Sequence, residues 1–287
     1  MLEKWLSAIH QSQKNNFLEE NKMPKLNAYQ LKWIAIIGMV LSHMVAAWWE
    51  IIPNWLAFPM WAAGGLTFPI MAFFAVEGYR HTSNLKRYIL RLFIVGLIAA
   101  PFHILALGMT LGGGNPSLYP WVNIMFSIIL GLLTLVLYDK IKSRVAFWLI
   151  YVIIIVPFSF IFFEWYFIGI TMILLHYIIK NETVRRVVSG LFAAVMFMIL
   201  AISMSFMQTI EGYTRISGAL LTYPEFIPVM FVFPIGIIVS ALLVKNYNGE
   251  RGKKMKWLFY IVYPLHFIVL IGVALALGLM DLSIFSL

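Results

Sequence analysis

Lys32 precedes His43 by eleven residues and Lys256 precedes His266 by ten, in apolar runs near opposite ends of the chain. Eleven residues make close to three helical turns, so Lys32 and His43 share one helix face about 16 Å apart, and His266 lies about 15 Å beyond Lys256. Both imidazoles therefore reach a similar depth from the same side. A single histidine in a helix is most often a satisfied polar group, but two at matched depth suggest a shared task. Imidazole takes up and returns protons near neutral pH, which makes His43 a candidate general base and His266 its partner. His103, which follows Pro101 in another apolar run about 18 Å from Arg91, is a third catalytic candidate. His176 stands only four residues from Lys180 and reads as interfacial.

A second constellation is Glu77-Gly78-Tyr79-Arg80-His81-Thr82. Glu77, Arg80 and His81 have i, i+3 and i+4 spacing, so they occupy one helical face and can pair with one another. With Asn84, Lys86, Arg87 and Arg91, which follow, they form an inward-facing basic mouth suited to phosphate groups. The bland alternative is a self-satisfied ion pair surrounded by charges that serve topology. Asn123 and Glu164 are further polar groups on the other side, to which spacing alone assigns no purpose. The chain has no cysteine, which removes disulfides, thiolate nucleophiles, iron–sulfur clusters and thiolate zinc sites from consideration. No metal is expected.

These side chains need elements that hold them in an apolar medium. The chain of 287 residues is 62% hydrophobic and 11% charged, with a mean hydropathy of +0.89, against about 25% charged residues in a soluble domain. Lipid must cover part of that surface. A crossing helix needs about 20 apolar residues, and such runs lie near 31–50, 56–78, 88–107, 119–138, 145–163, 165–180, 187–207, 225–244 and 257–279. The sixth is short for a full crossing. The expected fold is all-α: a polytopic helical membrane protein of about nine transmembrane helices, in a range of eight to ten. With the N-terminus cytoplasmic, 20 of the 21 Lys and Arg residues fall on the cytoplasmic side and only Arg215 falls outside, as the positive-inside rule requires. The formal charge of +9 is thereby accounted for without nucleic acid. Residues 1–30 read as a cytoplasmic, amphipathic lead-in and 31–287 as one transmembrane domain. The segment Met1 to Lys25 lacks the pattern of a cleavable signal peptide. Trp48, Trp49, Trp55, Trp61, Trp121 and Trp165 fall near the expected outer ends and read as interfacial anchors.

The order of motifs resembles the TraX family. The resemblance is carried by Leu31-Lys32-Trp33 through Ser42-His43, then Phe68-Pro69-Ile70-Met71, then the block Glu77 to Thr82 with Asn84, Lys86-Arg87-Tyr88 and Arg91-Leu92. It continues through Pro101-Phe102, Asn123-Ile124-Met125-Phe126-Ser127, Tyr247-Asn248-Gly249, Arg251-Gly252 and Tyr263-Pro264-Leu265-His266. It spans nearly the whole chain, and the Glu-Gly-Tyr-Arg-His-Thr block is its most specific part. The family is similar to wider membrane acyltransferases, in which a basic residue, ten residues and a catalytic histidine open the first helix; Lys32 and His43 fit. Ser42 stands where an aspartate is usual, Ala100 where a glutamate usually precedes the Pro-Phe pair, and His103 where a polar or acidic residue follows.

The resemblance implies an acetyl-CoA-dependent O- or N-acetyltransferase of the bacterial cytoplasmic (inner or plasma) membrane. The group moved is acetyl or another acyl, and the acceptor is an amine or hydroxyl on a peptide, including a peptide N-terminus, or on a glycan. Acyl-CoA and the lipid bilayer are the other expected partners. Lys32, Glu77, Arg80, His81, Arg87, Arg91 and Asn123 are the expected binding residues, with His43, His266 and His103 catalytic. Two rival readings are a proton-coupled transporter relaying through the histidines and a non-enzymatic membrane scaffold.

Overall fold

Asn27 starts the first helix through a reciprocal cap: its Oδ1 accepts from Gln30 N–H and its own N–H donates to Gln30 Oε1, both at 3.0 Å. The computed structural model describes residues 25–48, 51–111, 122–207, 226–254 and 256–280. Most of the expected lead-in, Trp49, Trp121, Arg215 and the loop from Glu211 to Glu225 lie outside the described residues. Within them the order is α1 (Ala28–Ala47), α2 (Asn54–Gly64), α3 (Thr67–His81), α4 (Leu85–Leu111) and α5 (Ile124–Lys140). Then come α6 (Arg144–Ile150), a π-helical turn (Tyr151–Ile155), α7 (Val156–Phe162), α8 (Tyr166–Ile178), α9 (Glu182–Met207), α10 (Phe226–Lys245) and α11 (Lys256–Ala276).

Among the described residues each of the nine apolar runs is mainly helical, and the protein is an all-helical membrane protein. Among the described residues five helical segments are long and apolar enough to cross a membrane by length and composition: Ala28–Ala47, Asn54–His81, Leu85–Gly108, Glu182–Ser203 and Trp257–Ala276. α8 has 13 residues, about 20 Å, in keeping with the short sixth run.

The second run, read as one helix, is broken at Gly65-Leu66 into α2 and α3. The reason is a close crossing with α10. A Cβ on Gly236 would sit 1.8 Å from Ala62 O, and one on Gly65 2.3 Å from Phe233 O. Only glycine lets the backbones approach this closely, and a larger side chain at either site would cost about 1–3 kcal/mol or force the helices apart. The break in the fifth run has a different origin: Pro157 cannot donate a backbone hydrogen bond to the preceding turn, where the π-helical turn stands.

Helix ends assort into two ends of the bundle. At one end the start of α1 is sewn to the segment after α10, with Leu26 N–H to Asn246 O at 3.0 Å, Asn248 N–H to Leu26 O at 2.9 Å and Ala28 N–H to Glu250 O at 2.9 Å. There too, Arg80 at the end of α3 reaches carbonyls at the end of α8, and Tyr79 and Tyr177 both donate to Asp139 at the end of α5. At the other end the approach to α5 meets the segment after α7, with Glu164 N–H to Val122 O at 3.3 Å. Every basic cluster with described side chains lies at the first end.

The center is filled by α3, α8 and the facing side of α1, including Phe68, Ile70, Phe73, Ile170 and Ile173. Around it α4, α6, α9, α10 and α11 turn apolar faces outward, among them Leu97, Leu149, Val195, Ile235 and Val269. An apolar perimeter is what contact with acyl chains calls for. Trp165, expected as an interfacial anchor, is instead in the core, stacked on Phe68 at 4.5 Å and packed against Phe197 and Phe233. Of the expected anchors that are described, Trp55 is the exposed one.

Candidate functional site

His43 on α1 and His266 on α11 meet: His43 Nδ1 lies 2.7 Å from His266 Nε2. The pinning of the α1 start to the segment before α11 sets the two helices in register. The protons on this pair follow from its surroundings. His266 Nδ1 is 3.1 Å from Val262 O, and a carbonyl oxygen only accepts, so Nδ1 carries the hydrogen. In a neutral ring His266 Nε2 is then the acceptor, and His43 Nδ1–H donates to it. His43 Nε2 is left with an unprotonated lone pair. That is the state of a general base, with its tautomer fixed by a second group as in other oriented histidines.

Phe267 organizes the rest. Its ring stacks on His43 at 5.0 Å, touches His266 at 3.9 Å and meets His103 edge-on at 5.3 Å. All three catalytic candidates therefore converge on one phenyl ring. His103 is fully buried, and its Nε2 is 3.7 Å from Glu164 Oε2. Glu164 belongs to the corner between α7 and α8, where Trp165 (φ 64°) and Tyr166 (φ 44°) are both left-handed. Two successive non-glycine residues in that region are strained. The core stacking of Trp165 and the hydrogen bond from Ser127 Oγ to Glu164 O (2.5 Å) hold the corner. Ala100 offers His103 no carboxylate, and Glu164 brings one to it from another element.

Toward the basic end lies a cavity of about 710 Å³, within the range of roughly 300–1,000 Å³ common for small-molecule sites. Its mouth carries Lys32, Arg91, Arg251 and Lys253, and its floor includes Met71, Leu92, Met125 and Ile128. Met125 and Ile128 flank Ser127, the residue that binds Glu164 O, so one turn of α5 separates the floor from the Glu164–His103 pair. Tyr260 also lines the cavity, and His266 is six residues farther along α11, about 9 Å. The buried Tyr263 stands between them.

Several cations at the mouth lack counter-charges. Lys32, whose Nζ sits 4.8 Å over Phe74, Arg251 and Lys253 have no carboxylate at ion-pairing distance among the described residues. Arg91 Nε is buried and finds no hydrogen-bond partner there either. Converging cations of this kind suit an anionic ligand.

The Glu77 face forms as its spacing implies, with Arg80 at 3.6 Å and His81 at 3.8 Å from the carboxylate. Glu77 and His81 line the cavity. Arg80 does not: it donates to His176 O (3.3 Å) and Tyr177 O (3.0 Å) and stacks on Tyr177. Arg87 is outside the lining, and its backbone N–H donates to the helix-starting Asn84. Asn123 caps α5 by accepting from Met125 N–H and donates to Gly96 O at 2.8 Å, so its amide is occupied by helix packing. Lys256's side chain lies outside the described residues.

Sequence reasoning missed Glu164 as a partner of His103, Arg251 and Lys253 as mouth residues, and Arg185 and Arg186. Arg185 pairs with Glu77 at 3.3 Å. Arg186 is buried, pairs with Glu182, donates to Lys245 O and Tyr247 O, and lies over the Phe73 and Tyr247 rings. Burial, together with the nearby Glu77 carboxylate, raises the Tyr247 phenol above its ordinary range, so that ring stays neutral beside the arginine. The available signal was the charge of Arg251 in the Arg251-Gly252 motif.

Residues 27–274 match the profile of the TraX protein family. A probable fimbrial assembly protein FimC, serogroup H1, of Dichelobacter nodosus is 29% identical over 251 residues, covering 85% of this chain and 94% of that protein. No solved structure matches.

Proposed function

The chain belongs to the TraX family, and from that premise we propose that it is a membrane-bound acyltransferase. It moves an acetyl or other acyl group from cytoplasmic acyl-CoA to an amine or hydroxyl acceptor. The observation that carries this reading is the His43–His266–Val262 chain of hydrogen bonds, which leaves His43 Nε2 free to take a proton. The protein sits in a bacterial cytoplasmic membrane with nine crossings and its basic end inside. The assortment of helix ends supports that count, because each contact between termini joins two the nine-crossing arrangement puts on one side.

In this reading Lys32, Arg91, Arg251 and Lys253 hold the donor's phosphates at the inner mouth, and the apolar floor receives its arm. Acetyl-CoA supplies a thioester, an acyl carbon already activated for attack. Lys32 and His43 are about 16 Å apart along α1, the reach that the arm must cover past Tyr263. His43 Nε2 takes a proton from the acceptor as its nitrogen or oxygen bonds to the acyl carbon. The same imidazole gives that proton to the departing sulfur, so the products are the acylated acceptor and free CoA thiol. His266 accepts the His43 Nδ1 hydrogen throughout and steadies the positive charge that His43 carries between the two transfers. The similarity to a fimbrial assembly protein favors a peptide acceptor over a glycan.

The test is purified protein in lipid nanodiscs with labeled acetyl-CoA and a peptide acceptor. Label should pass to the peptide. His43→Ala should lower transfer by about 10²- to 10⁴-fold while acetyl-CoA still binds; full activity in that variant removes the base assignment. Uptake of a solute driven by a pH gradient without CoA, and no acetyl-CoA binding, would instead support a proton-coupled transporter.

A further inference from the structure

We propose that the Glu164–His103 pair is the acceptor subsite, in which the carboxylate holds the cationic amino group of an incoming amine and the imidazole takes the first proton that this group loses. The inference rests on the acyl-transfer reading and deepens it by assigning residues to the acceptor's side.

Glu164 is at membrane depth. The near end of α8 is at the basic end, where Arg80 caps it, and 13 residues of helix carry the chain about 20 Å into a hydrocarbon layer about 30 Å thick. The corner holding Glu164 is thus about 10 Å short of the far surface. A carboxylate at that depth requires a cation or strong donors. Its nearest charge-capable neighbor is His103 at 3.7 Å, farther than a hydrogen bond. The Glu164 side chain keeps 19% exposure, whereas His103 is at 1%, and Oε2, the oxygen nearest His103, is itself buried with no hydrogen-bond partner among the described residues. An ammonium group can therefore approach Glu164 from the open side with the imidazole behind it.

The location also suits the chemistry. One phenyl ring, Phe267, touches both His103 and His43, and the cavity floor is one turn of α5 away through Ser127. An amine held by Glu164 is then adjacent to the place where His43 and the donor's acyl group meet. An α-amino group arrives largely protonated at neutral pH, and two protons must leave its nitrogen during amide formation. His103 takes the first, turning R–NH₃⁺ into R–NH₂, and releases it by way of the partly exposed Glu164 side chain beside it to the far side. His43 takes the second as the carbon–nitrogen bond forms and returns it to the sulfur. Amine plus thioester thus becomes amide plus thiol, with one proton released. The corner backbone, strained at Trp165 and Tyr166 and locked by the Trp165–Phe68 stack, keeps the carboxylate aimed.

The test compares a short synthetic peptide bearing a free amino terminus with an analog in which a hydroxyl replaces that amine. In Glu164→Gln, KM for the amine peptide should rise by about 10- to 100-fold, as expected for losing a charged contact. KM for the hydroxyl analog and the Kd for acetyl-CoA should stay within about twofold, and Glu164→Asp should restore part of the amine preference. Unchanged KM for the amine peptide, or equal losses for both peptides, overturns the proposal and leaves a purely structural ion pair. If Glu164→Gln does not fold, wild-type protein without acetyl-CoA decides it. Thermal stabilization by the amine peptide and not by the hydroxyl analog supports the subsite, and equal behavior of the two overturns it. Absence of acetyl-CoA binding by wild-type protein is a separate result, against acyl transfer itself.

Discussion

The basic end and the histidine cluster handle charge in opposite ways. At the basic end Glu77 is shared by Arg80, Arg185 and His81, while Arg186 has Glu182, two backbone carbonyls and two aromatic faces. Partners are redundant, and several remain open to water, where any one ion pair contributes little. In the histidine cluster the contacts are single: His43 Nδ1 has His266 Nε2, His266 Nδ1 has Val262 O, and Glu164 Oε2 has His103 Nε2 nearby. No water stands ready to replace a lost partner in an apolar interior, so each contact there decides a protonation state or a charge. Redundancy secures position at the rim, and single linkage sets reactivity in the core.

That contrast can be broken by substitution. The largest effect after loss of His43 should come from His266→Ala, which leaves His43 Nδ1–H without an acceptor and its tautomer unset. Transfer should fall by about 10- to 100-fold with acetyl-CoA binding intact, and His266→Gln, whose amide oxygen can accept from Nδ1–H, should recover part of it. Equal rates in His266→Ala and wild type would show that His43 needs no orienting partner. An intermediate effect belongs to the mouth. Arg251→Ala together with Lys253→Ala should weaken acetyl-CoA binding by about tenfold, in line with losing one or two exposed charged contacts. The wild-type affinity should also fall as salt rises, more steeply than that of the variant. Isothermal titration at several ionic strengths reads both. The smallest effect should be Glu77→Gln: with Arg185 and Arg80 retaining other partners, the loss should be below about 1 kcal/mol in thermal stability and transfer should change by less than about threefold. A collapse of activity in that variant would place Glu77 in the same class as the core histidines.

What could be read in advance follows from how local each signal is. Helix existence depends on runs of 20 or so neighbors, and the reach from Lys32 to His43 depends only on the rise of one helix, so both were legible. The Glu77 face was legible because i, i+3 and i+4 contacts lie within two turns. Arg80 looked like a mouth residue by the same arithmetic, but the end of α8 offers it carbonyls that no count along α3 reveals. Glu164 stood out only as a polar group without a purpose, since its partner is 61 positions away on α4. Arg251 and Lys253 looked like topological charge until the loop that carries them was seen bonded to the start of α1.

From its own residues, then, this sequence determined a lipid-facing helical chain, a basic end, two histidines at matched depth and the family resemblance, because composition and helical period act over short stretches. Tertiary structure alone decided that His43 bonds His266 rather than merely sharing its level, and that Val262 O fixes which nitrogen is bare. It likewise decided that Glu164 enters from the corner before a short helix to stand beside His103. Those outcomes depend on angstrom-scale register between helices, and that register is set by backbone approaches such as Gly236 against Ala62, by the stitching of Leu26 to Asn246 and Asn248, and by the strained corner at Trp165.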